Sequence, residues 1–139
     1  MLDSSVVLMA PILAGALFSG RNPTRTGNHG FRLIATLDTY RTKDGYLSIG
    51  ANHQAQFGHL CKVLGTPELV ADPRFADHRS HMAHGAELRQ ALEAASSEVR
   101  AEEVEPKLAA AGVPAGRVRE VLDALTHPHL AERGVVLTT

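Results

Sequence analysis

Thr36-Leu37-Asp38-Thr39-Tyr40-Arg41-Thr42-Lys43-Asp44-Gly45-Tyr46-Leu47-Ser48-Ile49-Gly50 is the stretch whose reading sets the fold class. Its first half is rich in β-branched and aromatic residues, and Tyr46 to Gly50 alternates with a period of two. Asp44-Gly45 sits between the two runs, where turn residues must tolerate φ > 0. The pattern predicts a β-hairpin over 36–50, and with it a short antiparallel sheet.

Downstream the period changes. Asn52 is read as the N-cap of a helix reaching Leu64, because Phe57, Leu60, Cys61 and Leu64 fall on one face and Gly65 stops it. Thr66-Pro67-Glu68 opens a short helical turn, and Asp72-Pro73-Arg74-Phe75 is a turn that turns one ring inward. Leu88, Leu92 and Ala95 predict a helix over 82–98. Another runs over 101–111 and ends at Gly112, with Glu102, Glu103 and Glu105 at its dipole-favoured start. Val113-Pro114-Ala115-Gly116-Arg117-Val118 reads as extended, since the residue before proline avoids the α region. A short helix over 121–125, a break at His127-Pro128-His129, a turn over 130–133 and a final strand at Val135-Val136-Leu137 complete the chain. The fold class is α+β: a small antiparallel sheet packed with at least four helices.

Upstream, Gly20 to Gly30 contains three Gly, one Pro and two Asn, which forbids a regular element. Five basic residues against one acidic lie between Arg21 and Lys43, an imbalance that suits an anionic ligand or simply a solvated loop. Before it, Val6 to Phe18 is an unbroken run of thirteen apolar, Pro or Gly residues. A signal peptide wants positive charge ahead of such a run, but the early charged side chain here is Asp3. A bilayer span needs about 20 residues. The run is therefore read as a buried helix capped by Leu2-Asp3-Ser4-Ser5. A helix apolar on all sides needs partners all round, and 139 residues offer few. The expected layout is an apolar linker helix over 1–19, a Gly/Arg-rich loop over 20–35 and a small α+β domain over 36–139.

Composition bounds the function. With 14 Lys+Arg against 15 Asp+Glu, the net charge of −1 lacks the basic excess of a nucleic-acid binder, and 4% aromatic residues leave little for base stacking. One cysteine makes no internal disulfide and no thiolate zinc site, so a reducing, cytoplasmic setting is expected.

Catalytic groups are not evident from the residues alone. His78, His81 and His84 recur every third residue, looser than the i, i+4 pair that brings two imidazoles to one metal. They are read as surface or capping residues, and no metal is expected. Cys61 falls on an apolar helix face, as a small core residue does. There is no Gly-x-Ser-x-Gly nucleophile turn, and the carboxylates are scattered.

The ordered motifs carry more. Leu2-Asp3-Ser4-Ser5, Arg25-Thr26-Gly27-Asn28, the run Asp38 to Gly50, Gln56-Phe57, Leu60-Cys61, Leu64-Gly65, Asp72-Pro73-Arg74-Phe75, Ala111-Gly112-Val113-Pro114-Ala115-Gly116 and His127 to Gly134 together resemble the later part of the family III CoA-transferases (CaiB/BaiF type). That family includes formyl-CoA transferase, carnitine CoA-transferases and alpha-methylacyl-CoA racemase. The resemblance implies a two-domain subunit in an interlocked homodimer, with acyl-CoA and a carboxylic acid as substrates. Coenzyme A thioester is then a substrate, and no covalently bound cofactor is implied. The family's nucleophilic aspartate belongs to a segment upstream of the Leu2-Asp3-Ser4-Ser5 match. Asp3 does not correspond to it, and no catalytic residue is assigned here.

The expectation is therefore a small-domain fragment, inactive by itself. A stand-alone binding module of the same fold, or a racemase-like fragment, are the alternatives. The racemase branch favours a glutamate just after the second hairpin strand, where this chain has Asn52-His53-Gln54. By the same analogy, the side of the domain over the acyl-CoA site is formed by Arg25, Gly27, Asn28, Gly30, Asn52 and His53. Arg25 offers a cation, Gly27 and Gly30 permit close backbone approach, and Asn28, Asn52 and His53 offer neutral hydrogen bonds. The plainer reading is that Asn52 only caps its helix and Arg25 only faces water.

Overall fold

The computed structural model describes residues 2–23, 25 and 34–134. Strands β1 (Leu37–Thr42) and β2 (Gly45–Gly50) form the expected hairpin, with Tyr40 opposite Leu47 and Asp38 opposite Ile49. The turn residues are Lys43 and Asp44; Gly45, at φ +141°, already stands in register with Thr42. Strand β3 (Ala115–Arg117) adds antiparallel to β2, giving the sheet order β1-β2-β3. The short β3 is what the extended reading of 113–118 becomes.

Helix α3 (Gln54–Leu64) follows the sheet, then α4 (Glu68–Ala71) and a 3-10 turn at Pro73–Phe75. Next come α5 (His78–Ala83), α6 (Gly85–Ser97) and α7 (Ala101–Ala110). The inward face of the sheet, α3, α6 and α7 bury one core containing Tyr40, Leu47, Phe57, Leu60, Leu88, Leu92 and Leu108. Phe75 is buried as expected, and so is Cys61, whose thiol burial pushes up to about 12. Cys61 is thus a core residue.

Several boundaries differ from the sequence reading. The helix expected over 82–98 is two helices meeting at His84, and the first begins early because the Asp77 carboxylate accepts the Ser80 N–H at 2.8 Å. The break expected at His127-Pro128-His129 is instead the start of α9 (Pro128–Glu132), which follows α8 (Val121–Leu125). There the His127 ring accepts from the His129 N–H, and Pro128 takes a first-turn position that needs no N–H. Val135-Val136-Leu137, read as a strand, lies outside the described residues.

The largest correction is at the start of the chain. The apolar run is not one helix capped by Leu2-Asp3-Ser4-Ser5. It forms α1 (Leu2–Leu8), which contains those four residues, and α2 (Ala10–Ser19), separated at Met9. Pro11 accounts for the break, since its ring would clash with the carbonyl four residues earlier in a continuous helix. Nor is α2 enclosed: it buries no residue, and Phe18 is 95% exposed.

Candidate functional site

Beyond the end of β2 the chain turns through Ala51, Asn52 and His53 into α3, and a cleft of about 290 Å³ opens at this corner. Its apolar floor is formed by Ile34, Leu37, Ala51 and Phe57, and its polar wall by Asn52, His53, Gln54, Asp77, His78 and His81.

His53, and not Asn52, is the N-cap of α3: its Nδ1 accepts the Gln56 N–H at 3.4 Å. That leaves the Nε2 side of the ring as its remaining polar atom. Asn52, the better cap by type, spends its side-chain amide on the Gly50 carbonyl at 3.0 Å. Across the cleft, the Phe75 carbonyl accepts from both Gln54 Nε2 and His81 Nε2, each at 2.9 Å. A carbonyl only accepts, so the Nε2 of His81 carries the proton. The His81 ring is buried edge-on to Phe57, with centroids 4.6 Å apart. These bonds fix the 3-10 turn and α5 against α3.

Asp77 also lines the cleft. The Ser80 N–H and hydroxyl hold its carboxyl below the usual carboxylate range, so it is an anionic cap. The cleft can therefore shape, desolvate and hydrogen-bond a ligand. Among the described residues it presents no Lys, Arg or Cys.

Of the expected site residues, Asn52 and His53 come together at this cleft. Arg25 is exposed and does not line it. Gly27, Asn28 and Gly30 lie outside the described residues. Gln54, Asp77 and His81 were missed. The Asp77-x-x-Ser80 spacing carries a capping signal, but nothing local places it at the same cleft as Asn52. The histidines of the 78–84 series separate: His78 is exposed, His81 bonds Phe75, and His84 lies 3.5 Å from Glu87. Among the described residues no group of three His, Cys, Asp or Glu is placed to hold a metal. No described helix is long and apolar enough to cross a membrane.

The sequence pattern of CoA-transferase family III matches residues 1–139. The chain belongs to CoA-transferase family III. It is 33% identical to the succinyl-CoA–D-citramalate CoA-transferase of Chloroflexus aurantiacus over 97% of this chain and 34% of that protein. It is 32% identical to the acetyl-CoA:oxalate CoA-transferase of Acetobacter aceti, over 99% of this chain and 35% of that one. In three dimensions it is similar to a CAIB/BAIF family protein from Brucella suis, with TM-score 0.77 and 35% identity over 91% of this chain and 33% of that one. The chain thus spans about a third of the length of the CoA-transferases it matches. In this family III chain the mixed α+β core forms as expected, and the corner after the hairpin carries the cleft.

Proposed function

We propose that these 139 residues are the small-domain part of an acyl-CoA:carboxylate CoA-transferase, and that the cleft at Asn52 and His53 forms one wall of its substrate site. The observation that carries the reading is this open, partly apolar cleft on a chain belonging to CoA-transferase family III. The layout is a linker over 1–19, a loop over 20–35 and the small domain over 36–139. Acyl-CoA and a carboxylic acid are the substrates, with the thioester and acid groups brought to the cleft edge. Arg25, Gly27, Asn28 and Gly30 approach the same substrates from the loop. The single Cys61, buried and free, suits a reducing, cytoplasmic setting.

In this reading the chain holds and shields substrate but does not form the covalent intermediate. The cleft's carboxylate, Asp77, is spent as a helix cap, and Cys61 is a core thiol. Because the resemblance matches the family's nucleophilic aspartate to none of these residues, the chain on its own is proposed to transfer no CoA. The test is an exchange assay with acetyl-CoA or succinyl-CoA and citramalate, oxalate or glutarate. The 139-residue protein should not exceed the protein-free rate. As a fusion replacing the matching third of the Chloroflexus aurantiacus relative, it should support exchange. Turnover by the 139-residue protein itself, or an inactive but folded fusion, would overturn the proposal.

A second reading, a stand-alone binding module, draws on the closed core of α3, α6, α7 and the sheet. The apolar surface exposed on α1 and α2 weighs against it.

A further inference from the structure

Gln56 lies on the first turn of α3, facing away from the core, and uses both ends of its side-chain amide. Its Oε1 accepts the Asn52 N–H at 2.8 Å, and its Nε2 donates to the Gly112 carbonyl at 3.0 Å. Its own N–H is the one that His53 accepts. This is a capping-box arrangement with the reciprocal bond moved one residue outward and a third partner added. One turn along, His59 Nδ1 lies 2.8 Å from the Ala111 carbonyl. On the other side, the Gly50 N–H donates to the Pro114 carbonyl at 2.7 Å, and a Cβ on Gly50 would come within 3.3 Å of Pro114 Cβ. The turn over 111–114 therefore grips the corner over 50–53 from both sides.

We infer that Gln56 is the positioning residue of the cleft: it straps the Asn52–His53 corner to the Gly112 turn, so that the cleft wall keeps one shape before a ligand arrives. The inference rests on the reading of that cleft as a ligand wall. Asn52 and His53 are exposed and pack against little, so their placement depends on hydrogen bonds. Those bonds lie at the surface, where each adds little to global stability. Losing them therefore loosens the corner much more than it loosens the core. Preorganising the wall matters because a corner ordered only on binding subtracts its ordering entropy from affinity.

The experiment uses the isotope-labelled 139-residue protein, with amide hydrogen exchange and a titration with S-acetyl-N-acetylcysteamine, a small acyl thioester. In Gln56→Leu, Asn52 should exchange at least fivefold faster while Tyr40 and Leu60 stay within twofold, and half-saturation by the thioester should rise at least threefold. Gln56→Glu keeps an acceptor for Asn52 but cannot donate to the Gly112 carbonyl, so Asn52 exchange should return to within twofold while half-saturation by the thioester stays raised at least threefold. Unchanged Asn52 exchange in Gln56→Leu would overturn the inference, as would equal acceleration at Tyr40 and Leu60. If Gln56→Leu does not fold, Gln56→Ala is read by the same criteria; failure of both to fold makes the residue a stability element and also overturns it. If the thioester shifts no cleft resonance in the unsubstituted protein while Asn52 responds as expected, the strap stands and the ligand-wall reading falls.

Discussion

Arg89 and Asp38 join α6 to β1. The Asp38 side chain is 4% exposed and that of Arg89 30%, and the guanidinium also lies 5.8 Å from the centre of the buried Tyr40 ring. The Asp38 carboxylate accepts the Thr39 N–H at 2.7 Å as well. Removing one partner of a buried pair leaves a desolvated charge behind, which is dearer than losing the attraction itself. Arg89→Ala should therefore lower unfolding free energy by about 2–3 kcal/mol in urea titration, tempered by the partial exposure of Arg89. Adding Asp38→Asn should recover part of that loss. At this scale the sequence is legible wherever the neighbour is close along the chain. Tyr40, Leu47 and Ile49 alternate inward as a two-residue period dictates. Arg89, fifty-one residues from Asp38, gives no local sign of its partner.

Among elements, the most informative contact is between the hairpin turn and α7. The residue at the N-cap position, Arg100, makes no side-chain cap, because a guanidinium accepts nothing. Asp44 supplies the cap from the turn: its carboxylate accepts the Ala101 N–H at 2.6 Å and the Glu102 N–H at 3.2 Å. The Lys43 N–H donates to the Val99 carbonyl beside it. Desolvation would raise the Asp44 carboxyl, but those N–H groups and the Thr42 hydroxyl outweigh it and hold it below its ordinary range. A depressed folded pKa gives stability that is present above the unfolded value of about 3.9 and lost as pH falls through the folded one. Asp44→Asn keeps a capping oxygen but loses the charge, and after solvent screening should be only roughly 0.3–0.5 kcal/mol less stable near neutral pH. The gap should close as the pH is lowered through 4 and beyond, followed by chemical denaturation across that range. Sequence reading placed Glu102, Glu103 and Glu105 at the helix start. Glu105 instead turns to the sheet side, where it pairs with Arg119 at 2.9 Å and accepts the Arg117 N–H. The elements themselves were legible from period and punctuation, but their mutual capping was not. Likewise the cleft was half legible: Asn52 and His53 follow the hairpin in sequence, whereas Asp77 and His81 arrive by folding back.

For the whole molecule, the exposed apolar surface is uneven. Leu8 is 85% exposed, Leu17 85% and Phe18 95%, a density that soluble surfaces seldom leave uncovered. Fully burying one such side chain contributes roughly 1.5–3 kcal/mol. The expected outcome is self-association through α1 and α2, in keeping with the homodimer that the family resemblance implies. Sedimentation at tens of micromolar should give a dimer, and Leu17→Glu with Phe18→Glu should give a monomer. A monomer for the unsubstituted chain would refute it.

The Asp44 cap spans fifty-seven residues of chain, and that separation has a kinetic meaning. A hairpin closes in about 1–10 μs from neighbouring residues, whereas the contact with α7 must close a loop of fifty-seven residues. The bond is therefore expected to form late, on the downhill side of the folding barrier, as a latch on the finished domain. Asp44→Ala should leave the refolding limb of a chevron almost unmoved and raise the unfolding rate roughly fivefold, the signature of a contact absent from the transition state. The lifetime of the folded domain, more than the speed of its assembly, is what that one turn residue governs.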